Sequence, residues 1–126
     1  MAKIFLDANY LIDWIEKRRK IDATQFKPHI LYTSPLSLLI YAYLYKIDVP
    51  NEKLKNLVEE ILLLTISEAV VTKSLIGPTD DFEDNAQLHS AAEGDCDCFL
   101  TYDEKLLNMK FFGKTKIVNS LKEEQL

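Results

Sequence analysis

Glycine and cysteine are both scarce in this chain of 126 residues, which contains 3 Gly and 2 Cys. Because no glycine-rich phosphate-binding loop is present, P-loop and dinucleotide-binding folds lack support. The two cysteines, Cys96 and Cys98, do not have the C-x-x-C spacing of redox motifs, and no second cysteine pair is available for zinc. We interpret them as small buried residues of a protein in the reducing cytoplasm.

Long hydrophobic runs are absent as well. No stretch of about 18 consecutive apolar residues occurs, which excludes a transmembrane helix. The N-terminus shows neither the apolar segment nor the cleavage pattern of a signal peptide, so we expect a cytoplasmic protein with no membrane association. The composition, 48% hydrophobic and 28% charged, is typical of a globular protein, and the length predicts a single domain over residues 1–126.

Charge is distributed unevenly, and basic residues are missing where acidic residues are most frequent. The chain has a net charge of −5, and residues 80–104 contain nine acids but no Lys or Arg. Carboxylates gathered without local counter-charges favour a site for a hard cation. Basic residues elsewhere are candidates for contacts with phosphate groups. They are the run KRRK at 17–20, Lys105, Lys110, Lys114 and Lys116.

Short apolar runs alternate with helical patterns along the chain. We predict five strands, at residues 3–6, 29–33, 64–66, 98–101 and 117–119. Helices are predicted between them, with Asn9 as the N-cap of the first and Ser34 followed by Pro35 opening the second. Such alternation is typical of α/β proteins with an open, mostly parallel sheet, in which ligands bind beyond the carboxyl ends of the strands.

Three carboxylates are predicted to meet at that edge of the sheet. Asp7 ends the first strand, Asp103 follows the fourth, and Asp84 lies in the first turn of the helix before the fourth. Each acid also has a structural explanation of its own, as a strand end or a helix-terminal residue. Together, clustered carboxylates repel one another and favour a shared Mg²⁺ or Mn²⁺, which activates water for the hydrolysis of a phosphodiester.

Three segments resemble conserved blocks of the PIN domain family, as in VapC-like toxins. They are KIFLDANYLID at 3–13, TSPLSLLIYAYL at 33–44 and DDFEDNAQLHSAAEGDCDCFLTYD at 80–103. The resemblance implies a three-layer α/β/α fold around the mostly parallel, five-stranded sheet. It also implies a metal-dependent endoribonuclease that cuts single-stranded RNA, often a toxin neutralised by a cognate antitoxin protein. It further suggests a homodimer, with the tyrosine-rich helix at 36–47 as a contact face.

The resemblance also assigns roles to individual residues. It places Asp7, Asp84 and Asp103 at the metal-binding and catalytic acids of the family, with Mg²⁺ or Mn²⁺ as the cofactor. Four further polar residues match positions that support these acids or the nearby loops: Asn9, Ser34, Asp81 and Thr101. Among the four, we expect Asp81 to cap a helix or support the site rather than to bind metal.

One position departs from the family pattern. The family usually has a Glu six residues after the serine that corresponds to Ser34, but this chain has Ile40 there, and no acid occurs between Asp22 and Asp48. An isoleucine side chain offers no oxygen to a hard cation. Three alternatives are open: three carboxylates suffice, another acid such as Asp81 enters the site, or catalysis is lost. In the last case the chain is a degenerate PIN-like module that binds a protein or RNA partner.

Overall fold

A computed structural model describes residues 1–121, in which strands and helices alternate along the chain. The strands are β1 (Lys3–Leu6), β2 (Ile30–Thr33), β3 (Leu62–Leu63), β4 (Cys98–Leu100), β5 (Phe111–Phe112) and β6 (Thr115–Val118). The α-helices are α1 (Ala8–Ile15), α2 (Pro35–Leu44), α3 (Glu52–Glu60), α4 (Glu68–Ser74), α5 (Phe82–Glu93) and α6 (Glu104–Met109). A short 3₁₀ helix covers Ala23–Phe26. Among the helices of this region, none is long and apolar enough to cross a membrane.

The strands form one sheet in the order β3-β2-β1-β4-β6-β5. Neighbouring strands from β3 through β6 are all parallel, and β5 alone runs antiparallel to its neighbour β6. The central strand β1 therefore lies between β2 and β4, and all three end at the same edge of the sheet. The prediction of an α/β protein with a mostly parallel sheet is confirmed.

The sheet has six strands rather than the five predicted. The additional strand, β5, contains two residues and forms a hairpin with β6. Gly113 lies in the turn with a φ of 61°, a conformation that glycine adopts without steric cost. Two residues are too few to give a periodic hydrophobic signal, which is why sequence reasoning missed this strand.

The boundaries of two predicted strands also differ from the structure. β3 covers Leu62–Leu63 instead of 64–66, because α3 ends at Glu60 and the chain is already extended at Ile61. β6 covers Thr115–Val118 instead of 117–119, because its first residues pair with β5 as well as with β4. A short apolar run does not by itself reveal which of its residues join a neighbouring strand.

Two hydrophobic cores lie on opposite faces of the sheet. Along β1, Ile4 and Leu6 belong to one core and Phe5 to the other, as expected from the alternation of side chains along a strand. The first core packs the sheet against α1, α2 and α3, and the second packs it against α5 and α6. Phe5 stacks on Phe99 of β4 with ring centroids 5.3 Å apart. Helices on both faces of one sheet make the predicted three-layer α/β/α fold.

The first helix begins earlier than the sequence predicts, and the second begins at the predicted residues but without a capping hydrogen bond. The N-cap of α1 is Asp7 rather than Asn9, because the helix starts directly after β1, and Asn9 lies exposed within the first turn. Ser34 does occupy the N-cap position of α2 before Pro35, but its hydroxyl makes no capping hydrogen bond. That hydroxyl donates to Gln87 of α5 instead. Tertiary contacts therefore replace the local cap that the dipeptide predicts.

Candidate active site

The carboxyl ends of β1 and β4 lie side by side and bring Asp7 next to Thr101. Leu6 is opposite Leu100 in this parallel pair, and the Asp7 N–H donates to the Leu100 carbonyl at 3.0 Å. Asp7 is buried, with only 6% of its surface exposed. Its Oδ1 accepts from the Ala8 N–H at 2.9 Å, and its Oδ2 accepts from the Thr101 hydroxyl at 2.9 Å. Two hydrogen bonds therefore orient this carboxylate at the edge of the sheet.

Asp103 lies two residues beyond Thr101, at the N-cap of α6. Its N–H donates to Thr101 Oγ1 at 3.0 Å, so one hydroxyl links the backbone at Asp103 to the carboxylate of Asp7. The Asp103 Oδ1 accepts from the Leu106 N–H at 3.1 Å and caps the helix. Within residues 1–121 the Oδ2 of Asp103 has no hydrogen-bond partner, and the residue is exposed. One oxygen of Asp103 is therefore available to a ligand beside Asp7.

Asp84 occupies the first turn of α5 and is partly exposed. Asp81 is the N-cap of this helix, and its Oδ1 accepts from the Asp84 N–H at 2.8 Å. The Asp84 carboxylate makes no hydrogen bond to the part of the chain that the structure describes. Asp84 and Asp103 line one open depression of about 310 Å³, together with Thr79, Asp81 and Lys105. Asp84 thus joins the other two acids at one edge of the sheet.

The three acids are close enough to perturb one another's ionisation. Burial raises the pKa of Asp7 from its ordinary 3.8 to about 7; the Thr101 hydrogen bond opposes this rise, and the charges of Asp84 and Asp103 add to it. Burial likewise raises the pKa of Asp84 to about 6, with further contributions from Asp81 and Asp103. Carboxyl groups that titrate near neutral pH are typical of functional sites.

The donor chemistry of this cluster fits a hard divalent cation. Carboxylate oxygens are suitable ligands for Mg²⁺, and a bound cation would offset the repulsion among the acids. Within residues 1–121, however, no group of three or more His, Cys, Asp or Glu side chains is arranged to hold a metal ion directly. Because Mg²⁺ usually keeps several water ligands and needs only one or two carboxylates, a partly hydrated ion suits this arrangement.

Position 40 supplies no ligand to the cluster. The Ile40 side chain packs, partly buried, against the core on the α1 face of the sheet. Asp81, the acid that sequence reasoning considered as a substitute, lines the depression that contains Asp84, but one of its oxygens is engaged as the helix cap. Asp80 and Glu104 line the same depression, so carboxylates other than the missing Glu are present at this edge.

A buried network of neutral polar side chains lies between β2, α2 and α5. The Thr33 hydroxyl donates to the Leu6 carbonyl at 2.7 Å, and the Ser37 hydroxyl lies 2.8 Å from Thr33 Oγ1. Gln87 Nε2 donates to Ser37 Oγ at 2.7 Å, while Gln87 Oε1 accepts from the Ser34 hydroxyl. All four side chains are buried. They tie α5 to the carboxyl ends of β1 and β2, and so hold the elements that carry the acids together.

Two arginines in the segment that follows α1 line a second depression beside the acids. Arg18 and Arg19 both donate to the buried carboxylate of Asp13. The depression has a volume of about 530 Å³, and Tyr102 lies on its wall. Four residues predicted for the site line it as well: Asp7, Asn9, Thr101 and Asp103. Positive and negative groups therefore share one surface at this edge of the sheet.

The other predicted phosphate contacts are distributed unequally. Lys105 lines the acidic depression with Asp84. Lys114 and Lys116, in contrast, lie with Met1 at the opposite edge of the sheet, because β6 starts there alongside the beginning of β4. These two lysines are therefore not brought to the acids.

Three residues of this edge were missed by sequence reasoning: Asp13, Ser37 and Gln87. Ser37 follows Ser34 by three residues, and Gln87 follows Asp84 by three, a spacing that places each pair on one helix face. Asp13 precedes the basic run at 17–20, a pattern that indicates an ion pair. These signals exist in the sequence, but only the fold shows that they refer to one site.

The chain belongs to the PIN domain family. The family model matches residues 3–105, a range that starts at β1 and includes all three acids of the cluster. The prediction of a PIN domain from the three sequence blocks is therefore confirmed. Members of this family are generally nucleases that depend on divalent metal ions. Among curated proteins, none matches this chain.

Proposed function

We propose that this PIN domain is a Mg²⁺- or Mn²⁺-dependent endoribonuclease that hydrolyses single-stranded RNA, in the manner of the toxin of a toxin–antitoxin pair. The observation that carries the proposal is the meeting of Asp7, Asp84 and Asp103 at the carboxyl ends of β1 and β4, where burial and mutual repulsion raise the pKa of two of them. Such a cluster is unfavourable by itself and gains from a bound cation.

The three acids and Thr101 have different roles in the proposed hydrolysis. Asp84 and Asp103 would hold the metal ion with Asp7, directly or through its water ligands, and the Thr101 hydroxyl orients the Asp7 carboxylate. When bound there, such an ion would act as a Lewis acid and would lower the pKa of a coordinated water. Asp84 would accept the proton of the attacking water, a role supported by its place in the open depression and by a carboxylate that makes no hydrogen bond within residues 1–121. The water oxygen adds to phosphorus, the bond from phosphorus to the leaving oxygen breaks, and the leaving oxygen takes up a proton from solvent water.

Partners form a further part of the proposal. Exposed apolar side chains on α2, with Leu39 68% and Tyr43 83% exposed, support the predicted contact face of a homodimer. Tyr41 does not take part, because it is buried in the core and its hydroxyl donates to Glu16. A cognate antitoxin enters only through the resemblance of the sequence blocks to VapC-like toxins.

The decisive experiment is cleavage of a fluorescently labelled single-stranded RNA in the presence of Mn²⁺. Asp84→Asn should lower the cleavage rate by at least about 100-fold, because it removes both a metal ligand and a proton acceptor. Asp48→Asn is the matched control, because it removes the same charge at an exposed position in the segment between α2 and α3. Cleavage by folded Asp84→Asn protein at the wild-type rate would contradict the proposal.

A degenerate binding module is the second candidate, and Ile40 favours it. Ile40 has a hydrocarbon side chain at the position where the family usually has a Glu. The nearby contact between α2 and α5 is made by uncharged side chains, Ser37 and Gln87. This alternative predicts that millimolar Mn²⁺ leaves the melting temperature unchanged and that no RNA is cut. A saturable rise of the melting temperature with Mn²⁺, lost in Asp103→Ala, would favour the nuclease instead.

A further inference from the structure

Two neighbouring arginines, Arg18 and Arg19, differ in how fully the protein engages them. Arg18 places Nε 2.7 Å and Nη2 2.6 Å from Asp13 Oδ1, and its Nη1 lies 3.4 Å from the Tyr45 hydroxyl. All three nitrogens of Arg18 therefore have partners. Arg19 uses only Nε, which donates to Asp13 Oδ2 at 3.2 Å. Within residues 1–121, the two terminal nitrogens of Arg19 have no hydrogen-bond partner.

The guanidinium of Arg19 is nevertheless held in one plane. Its central carbon lies 3.9 Å from the ring centroid of Tyr102, a distance typical of a cation–π contact. Tyr102 in turn stacks on the buried Tyr10, with ring centroids 5.0 Å apart and an angle of 14° between the rings. The ring below and the Asp13 carboxylate at the side therefore fix Arg19 while leaving its terminal nitrogens free.

Arg19 is fixed next to the acids. Tyr102 lies between Thr101 and Asp103 in the chain, and Arg19 lines the 530 Å³ depression together with Asp7 and Asp103. The Arg19 side chain is 52% exposed, so a ligand has access to it. An ion pair with Asp13 alone does not explain this placement, because Arg18 already contacts that carboxylate with two nitrogens.

We propose that Arg19 binds a phosphate of the RNA backbone next to the bond that is cut. This inference rests on the proposed function, and it names the group that recognises the substrate. The free edge of the Arg19 guanidinium, with one parallel N–H bond from each terminal nitrogen, matches two oxygens of a phosphate. The positive charge of Arg19 also offsets electrostatic repulsion. A chain of net charge −5 with clustered carboxylates repels a polyanion such as RNA unless a fixed cation lies beside those carboxylates.

The test measures RNA binding without metal and without cleavage. The full chain carrying Asp84→Asn is mixed in EDTA with a fluorescein-labelled single-stranded RNA of about 12 nucleotides, and anisotropy is followed between about 50 and 200 mM NaCl. Arg19→Gln and Arg19→Lys are introduced into this background. Lys55→Gln, on the exposed surface of α3, is the control that removes the same charge away from the acids.

Arg19→Gln should weaken RNA binding about ten-fold and lower the slope of log affinity against log salt by about 0.7, the change expected for one lost phosphate contact on a single strand. Arg19→Lys should keep the slope but still weaken binding several-fold, because a lysine has no planar fork. A merely structural role of Arg19 would change the melting temperature and leave the salt slope unaltered.

The outcomes separate this inference from the proposed function. Equal RNA affinities and salt slopes for Arg19→Gln and Lys55→Gln would overturn the role of Arg19. The same conclusion would follow if the Asp84→Asn protein, with Arg19 intact, bound no RNA at low salt. If wild type still cuts RNA in an Asp84-dependent manner, the nuclease proposal survives that result. Conversely, Arg19-dependent binding by a protein that never cuts RNA would support Arg19 and refute the nuclease.

Discussion

Replacing Asp7 with Asn should stabilise the metal-free protein most at and above neutral pH and have little effect below about pH 4. Burial is the reason, because it raises the pKa of Asp7 from 3.8 to about 7 in the folded state. Below the unfolded pKa, both states carry the proton and the buried group is neutral. As the pH rises from 3.8 to about 7, the unfolded state loses this proton while the folded state keeps it, so the free energy of unfolding falls. Above about 7 both states are ionised, and the loss of stability stays constant.

The magnitude follows from the size of the shift. A difference of about three pKa units corresponds to at most about 4 kcal/mol at pH values above 7. Asparagine keeps an oxygen that can accept from the Ala8 N–H but loses a charged acceptor for the Thr101 hydroxyl. We therefore expect a net gain of about 1–3 kcal/mol for Asp7→Asn at pH about 8.

Urea unfolding in EDTA, at a series of pH values from about 5 to 8.5, measures this gain. Asp48→Asn serves as the control for removal of one surface charge. Addition of Mn²⁺ should reverse the order, because only the wild type keeps all three acids for the cation. An Asp7→Asn protein that is less stable than wild type at pH 8 in EDTA, or a difference that does not vary with pH, would refute the argument.

Two further substitutions test the supports of the site. Asp81→Ala should lower the free energy of unfolding by about 1 kcal/mol, because Asp81 caps α5 by accepting from the Asp84 N–H. Cleavage of RNA by this variant should remain measurable. Loss of all cleavage would place Asp81 among the essential acids. Gln87→Met should lower the free energy of unfolding by about 1–3 kcal/mol in urea unfolding, because the buried Ser34 hydroxyl loses its acceptor and Ser37 keeps only its contact with Thr33. An unchanged midpoint would show that these bonds contribute nothing to stability.

Local patterns in the sequence determined the class of fold and the identity of the three acids. Strand and helix periodicities depend on residues close together in the chain, and an acid that follows a strand lies at its carboxyl end whatever the strand order. Asp7 and Asp103 were therefore recognisable at once. The two-residue strand β5 and the position of β3 were not, because pairing with another strand rather than local pattern defines them.

Only the tertiary structure decided how these residues meet. It placed β1 beside β4, so that one hydroxyl, that of Thr101, bonds to Asp7 and to the backbone of Asp103. It also buried Asp7, and burial is the largest cause of its raised pKa. The stacking of Arg19 on Tyr102 joins side chains far apart in sequence. Burial and long-range contacts depend on the packing of the whole chain, and no local pattern of residues encodes them.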